Sequence, residues 1–357
     1  MQTQRQRGAL SQTQGRFETE AREAFDDGWP REDEPLEPLQ TTVTLERARS
    51  IIARNDSPDI PFEQSINSYR GCEIGCAYCY ARQSHSYLEL SPGLDWETKL
   101  FAKTNAAELL RQELARPGYK VSPIAFGTNT DCYQPAERKY RITRQVIELL
   151  AECDHPLTIV TKSALVERDL DLLARMARKN LVKVFVSIGT LDHVLARKLE
   201  PRAASPKRRL DVLRALSGAG VPCGVMVAAL IPALNDKTLE DVLAQAAGAG
   251  AREAGYIILR LPHEVKDVFK EWLAAHYPER ADHVISIVRQ MRGGRDNDPR
   301  FGERMRGTGN FAELISTRFA IACKRLGLNG HGGGRRQPEL DCTRFVPPAT
   351  AGQMRLF

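Results

Sequence analysis

An α/β fold built on a parallel sheet is the architecture this 357-residue sequence predicts, and three observations predict it. Apolar, β-leaning runs alternate about six times with longer segments of helical spacing. Most of these runs are apolar throughout, as strands covered on both faces are. Alternation of strand and helix implies parallel pairing through right-handed crossovers. About six units are too few for a closed eightfold barrel. The pattern suits either a partial barrel or an open doubly wound sheet.

In chain order, residues 1–40 hold five Arg against nine Asp or Glu with almost no apolar periodicity, which predicts a disordered tail. A short helical stretch is expected near Glu46–Ala53. Strands are expected at Ser65–Arg70, Ile124–Thr128, Leu157–Thr161, Val182–Ile188, Cys223–Leu230 and Ala254–Leu261. Helices are expected at Glu97–Ala115, Glu137–Glu152, Ala164–Lys179, Ser205–Ala219, Thr238–Ala249 and His263–His276. Gly220, following RALSGAG, suits the C′ position of its helix. Past Arg289 the pattern breaks into the polar loop QMRGGRDNDPRFGERMRGTG. A helix over Asn310–Leu326 follows, with Phe311, Leu314, Ile315, Phe319 and Ala322 on one face. The expected organisation is a tail over 1–40, the α/β body over 41–288, a basic loop with a packed helix over 289–330, and a flexible tail over 331–357.

The composition, 42% hydrophobic and 27% charged with mean hydropathy −0.38, is that of a soluble chain with a core. No apolar run approaches a membrane span. Eight Cys without an apolar leader segment argue for a cytoplasmic location and for metal or redox use. The net charge is +6, but Arg289–Arg336 alone holds eleven basic against four acidic residues. Such a segment is either a footprint for a polyanion or a solvated surface.

The sharpest motif is RGCEIGCAYCYAR, directly after the first expected strand. Cys72, Cys76 and Cys79 stand at C-x3-C-x2-C, so one loop can present three thiolates to one metal centre. Three cysteines fill neither a four-cysteine iron–sulfur set nor a closed zinc site. The aromatic flanks and the βα units that follow favour a cluster with one open iron. The alternative is zinc completed by His85, six residues past Cys79, in a binding protein without catalysis.

C-x3-C-x-Φ-C with Tyr78 as the aromatic, opening a run of βα units, resembles the radical S-adenosylmethionine (SAM) superfamily. GTNTDCYQPAE, Thr161-Lys162-Ser163, Val186-Ser187-Ile188, LEPRA and MVAALIPALND resemble its spore photoproduct lyase-like branch, described as DNA-repair photolyase-like. The resemblance spans roughly residues 61–326. It implies the partial (β/α)6 barrel of TIM type rather than the doubly wound sheet. It also implies a [4Fe–4S] cluster on Cys72, Cys76 and Cys79, whose fourth iron chelates SAM. One-electron cleavage of SAM then leaves methionine and a 5′-deoxyadenosyl radical that takes hydrogen from a substrate. Nucleic acid is the expected substrate, in a lyase-like repair or modification; a protein or a small molecule is the alternative. A reductant such as flavodoxin or ferredoxin is the expected electron donor.

The resemblance also carries the cofactor-binding residues. Gly127, Asn129, Thr130 and Asp131 follow the second strand, where Asn129 or Asp131 can face the SAM ammonium. Lys162 and Ser187 close the next two strands. Arg202 is expected to fork onto a carboxylate, with Glu200 as its alternative partner. Asp236 is expected to cap the helix after the fifth strand. Spore photoproduct lyase returns hydrogen from a Cys near its second-strand motif, a position read here as Thr128. Cys132 is therefore the candidate catalytic hydrogen donor from a shifted place, with Cys342 left open. Finally, Gln353, Leu356 and Phe357 resemble the short motif that docks repair proteins on the sliding clamp.

Overall fold

The computed structural model describes residues 7–19, 39–331 and 337–349. Six parallel strands form its body: β3 (Gln64–Ile66), β6 (Ile124–Phe126), β7 (Leu157–Thr161), β8 (Val182–Ser187), β9 (Cys223–Leu230) and β10 (Glu253–Ile258). They lie side by side in chain order, and β2 (Ile52–Arg54) adds an antiparallel strand outside β3. That order decides between the two candidate architectures. A doubly wound sheet reverses its strand order at a switch point. Here each crossover between parallel strands steps to the next neighbour, as in a partial barrel.

The crossovers carry α3 (Glu137–Tyr140) and α4 (Ile142–Glu152), α5 (Leu170–Ala177), α6 (His193–Leu199) and α7 (Pro206–Gly218), and α8 (Leu239–Gly248). After β10 come α9 (Val265–His276), α10 (Ala281–Gln290) and α11 (Asn310–Leu326). The α7 start is held by Ser205, whose hydroxyl accepts from Arg208 N, with Pro206 in the first turn. Its end is followed by Gly220 at φ +74°. Helix α11 lies against α8, where Arg318 bridges to Glu240 at 2.7 Å. Among the described residues no helix is long and apolar enough to cross a membrane.

Several expectations are corrected. Glu46–Ala53 is not helical: β1 (Thr42–Glu46) and β2 flank it, because Ile52 pairs with Ile66 on the sheet edge. The expected helix Glu97–Ala115 is broken by β5 (Lys99–Lys103), between α1 (Asp95–Thr98) and α2 (Ala106–Leu114). In KLFAK, Leu100 and Ala102 are fully buried and alternate with their neighbours, a period-2 pattern masked by helix-favouring residue types. Strand β5 pairs with β1 and with the two-residue β4 (Tyr69–Arg70) in a second, three-stranded sheet.

The tails are corrected in part. Within the expected disordered stretch 1–40, residues 7–19 run along the body with Arg7, Gly8 and Ala9 buried. Within the expected flexible stretch 331–357, Phe345 packs against His155 and Tyr119 at 5.3 and 5.5 Å between ring centres. Val346 N donates to Cys153 O at 2.9 Å. Residues Gln353, Leu356 and Phe357 lie outside the described residues.

Candidate active site

The cysteine loop leaves β4 and is fastened from every side before its thiols reach the cavity. Cys72 N donates to Trp96 O at 2.9 Å, and Ala77 N to Leu199 O at 3.0 Å. Gln134 clamps the loop twice, accepting from Glu73 N at 2.9 Å and donating to Gly71 O at 3.1 Å. Arg82 Nε donates to Cys76 O at 2.9 Å, and its Nη2 meets Glu97; both side chains are fully buried. Gly75 has φ +68°, and a Cβ there would lie 2.4 Å from the Glu97 carboxylate. Only glycine lets the loop close over that ion pair.

Cys72, Cys76 and Cys79 face one cleft, with a cavity of about 140 Å³, at the C-terminal ends of the strands. Tyr78, Gly127, Asn129, Thr130, Asp131 and Lys162 line the same cleft. Gly127, at φ +79°, brings the β6 end against β7: a Cβ would meet Val160 O at 1.9 Å. Asp131 ties the two strand ends, accepting from Tyr133 N, Thr161 Oγ1 and Lys162 N at 2.8–2.9 Å. Three of its roughly four acceptor positions are thus used within the chain.

Behind Tyr78 lies a buried carboxylate. Glu200 accepts from the Tyr78 hydroxyl and from Arg209, whose other nitrogens donate to Ala204 O and Ser187 O at 2.7 and 2.8 Å. Burial opposes its ionisation, but Arg209 and Lys162 outweigh burial and hold the Glu200 carboxyl below its usual range. Burial pushes the Cys72 and Cys76 thiols up, while the Lys162 cation works the other way on Cys76. Metal loading there must displace protons.

Three expected site residues do not line the cleft. Ser187 lies one step behind it, its hydroxyl donating to Ala228 O at 3.2 Å. Arg202 pairs with Glu73 at 3.2 Å, not with Glu200, which Arg209 holds. Cys132 is the clearest correction. It is 1% exposed and belongs to the main apolar core. Its thiol is not among the groups that line the cleft. Asp236, expected as a helix cap, does not act as one. Its side chain approaches Arg318 at 3.7 Å, while Asn235 binds Gly189 O and Ala229 O at 2.8 and 3.0 Å.

The donor set fits a cluster better than zinc. A cubane takes one thiolate on each of three irons, so the three sulfurs need not meet at a point. Among the described residues no three His, Cys, Asp or Glu side chains converge on a single ion. His85, the expected fourth zinc ligand, is turned to Lys99 O at 3.0 Å and sits edge-on to Trp96. Sequence reasoning missed the Arg82–Glu97 pair, Arg209 and Arg260. Arg260 lies at the end of an expected strand, which is a legible signal; Glu97 has none nearby.

The radical SAM superfamily model matches residues 66–246. An uncharacterized protein of Mycobacterium tuberculosis (strain H37Rv) is 40% identical over 233 residues, 65% of this chain and 68% of that one. An uncharacterized protein of Methanocaldococcus jannaschii is 27% identical over 214 residues, 60% of this chain and 76% of that one. Among solved structures, spore photoproduct lyase complexed with dinucleoside spore photoproduct has the same fold. Its TM-score is 0.58 at 17% identity, over 80% of both chains. A mutant of that enzyme with bound AdoMet and the same dinucleoside also gives 0.58, at 16% identity over 80% of both chains.

Proposed function

This chain belongs to the radical SAM superfamily, with a [4Fe–4S] cluster and SAM as its cofactors, and we propose that it is a lyase-like enzyme acting on nucleic acid. The observation that carries this reading is the cleft itself: three thiols and a set of strand-end polar groups converge on one opening. When bound, the cofactors supply a one-electron cleavage of SAM and a hydrogen-abstracting adenosyl group.

The chain's own residues supply everything else. Cys72, Cys76 and Cys79 would hold three irons of the cluster, and the Arg82–Glu97 pair keeps their loop in one shape. Lys162 would offer a cation to the SAM carboxylate, and Asn129 with the remaining acceptor position of Asp131 would serve its ammonium. Gly127 and Thr130 line the cleft beside them and would border the SAM site. Ser187 and Arg202 act through their neighbours, Ala228 and the cysteine loop. The apolar strand ends Ala228, Ala229 and Ile258 exclude water from the reacting atoms.

Nucleic acid as substrate is supported by the fold shared with an enzyme whose solved complex contains a dinucleoside photoproduct. A small reductant such as flavodoxin or ferredoxin is the electron donor this chemistry calls for. The test is anaerobic reconstitution with iron and sulfide, then dithionite and SAM, assaying 5′-deoxyadenosine by mass. Wild type forms it, Cys76→Ala does not, and undamaged or ultraviolet-damaged DNA alters its yield while the nucleoside composition of the digested DNA changes. A cluster-loaded enzyme whose turnover no DNA or RNA alters would exclude nucleic acid.

A further inference from the structure

The arginine-rich segment 289–336 has the composition of a polyanion footprint, but the fold spends most of its described cations internally. Arg289 pairs with Asp296, Arg300 with Asp298 and Glu303, Arg304 with Asp59, and Arg318 with Glu240. Arg292 is buried and donates to the carbonyls of Leu259 and Glu303 at 2.9 and 2.8 Å. The uncommitted cation at the cleft is Arg260, just past the end of β10 and outside that segment.

Arg260 lines the same cleft as the three cysteines. Among the described residues it joins no ion pair, its Nε is buried without an acceptor, and Nη1 reaches only Met305 Sδ at 3.5 Å. Its guanidinium lies 5.1 Å from the centre of the Tyr80 ring, which fixes the plane of the fork. Burial, with the neighbouring Arg304 cation, pushes its pKa down against the opposing pull of Tyr80 and Asp59. Asp131 is the cleft's one carboxylate among the lining residues, and it is engaged with the β7 end. Lys162, the other cation of the cleft, has Cys76 and Glu200 as its electrostatic partners, whereas the carboxylate that acts on Arg260, Asp59, is already ion-paired with Arg304.

An arginine fork whose buried Nε lacks an acceptor is costly unless a ligand completes it. We propose that Arg260 is the phosphate subsite of this enzyme, receiving a backbone phosphodiester of the substrate bidentately at the cleft. This rests on the nucleic-acid reading above and adds to it the group that is gripped. The same fork would also accept the SAM carboxylate, so the test must separate the two sources.

The probes are fluorescein-labelled tetrathymidylate and its uncharged methylphosphonate analogue, titrated against cluster-loaded enzyme with SAM present. Wild type is expected to prefer the charged strand by about tenfold, the worth of one charge-assisted contact. Arg260→Gln is expected to erase most of that preference by weakening the charged strand alone. Arg260→Lys, which keeps the charge without the fork, keeps part of it and serves if the Gln protein does not fold. Iron content and melting temperature confine the comparison to folded, loaded protein. A preference undiminished in both variants overturns the subsite while leaving the nucleic-acid reading intact. Loss of SAM affinity with the preference retained assigns Arg260 to the cofactor and overturns it as well. Wild type that binds neither strand removes the nucleic-acid reading and the subsite together.

Discussion

Arg82 donates to Glu97 with neither side chain reaching solvent, directly behind the carbonyl of Cys76. The pair is locally saturated: Arg82 also donates to Pro92 O and Gly93 O at 3.1 and 2.8 Å, and Glu97 accepts from Gly8 N and Ala9 N at 2.9 and 2.8 Å. Removing one member of a buried pair strands the other charge, at roughly 3–5 kcal/mol. Glu97→Ala is therefore expected to lower the urea midpoint sharply and to reduce iron retained after reconstitution. Unchanged stability with a full cluster would show the pair to be dispensable.

The N-terminal segment supplies two of those four bonds. A Cβ on Gly8 would lie 1.7 Å from Gly75 O, so Gly8→Val must push the segment off the cysteine loop. Deleting residues 1–13 does the same without a clash. Both variants are expected to fold, to melt lower, and to lose iron several times faster in air than wild type. Equal rates of loss of the cluster's visible absorption would show that the segment only decorates the surface.

Cysteine substitutions should sort by position. Cys72→Ala, Cys76→Ala and Cys79→Ala each remove a thiolate from the cleft and should abolish cluster loading. Cys132→Ala lies in the core and should keep iron and 5′-deoxyadenosine formation, at a stability cost of roughly 1 kcal/mol. A Cys132→Ala enzyme that cleaves SAM but cannot complete turnover would return Cys132 to the reaction.

Acid should destabilise the fold before its carboxylates titrate. Burial lowers His85 and His155 to about 4, against 6.5 for an unperturbed imidazole. Between those values the unfolded chain binds protons that the folded chain refuses, so stability rises with pH through the window and falls as pH drops from about 6.5 to about 4. Each group contributes on the order of 3 kcal/mol at most. Melting temperature measured from pH 7 to pH 4.5 should fall, and His155→Gln should flatten part of that slope. A flat profile would mean that both imidazoles are hydrated in the folded state.

The parts of this protein that local chemistry controls are legible in the amino-acid sequence. The C-x3-C-x2-C spacing marks the thiols, because three ligands within eight residues must share one loop. The β7 span Leu157–Thr161, the β9 span Cys223–Leu230 and the helix Asn310–Leu326 match their expected ranges, since apolar period and length suffice there. Where two periods fit the same letters, as in Lys99–Lys103, residue preference points to helix, and pairing with β1 and β4 wins.

By itself, then, the sequence determined the strand–helix alternation, the cysteine loop and the polar strand ends that open on one cleft. Tertiary structure alone decided three further matters. It laid the strands in chain order, which makes the partial barrel. It turned Cys132 into the core and Asp131 toward the cleft, because adjacent side chains must leave a chain in different directions. And it chose the partners of the buried charges: Glu97 for Arg82, Arg209 for Glu200, none for Arg260 among the described residues. The first two pairs join residues 15 and 9 positions apart, and Glu97 further recruits the backbone of Gly8, 89 positions away. A charge taken out of water must find a counter-charge wherever the fold brings one, and that proximity is written in no local pattern.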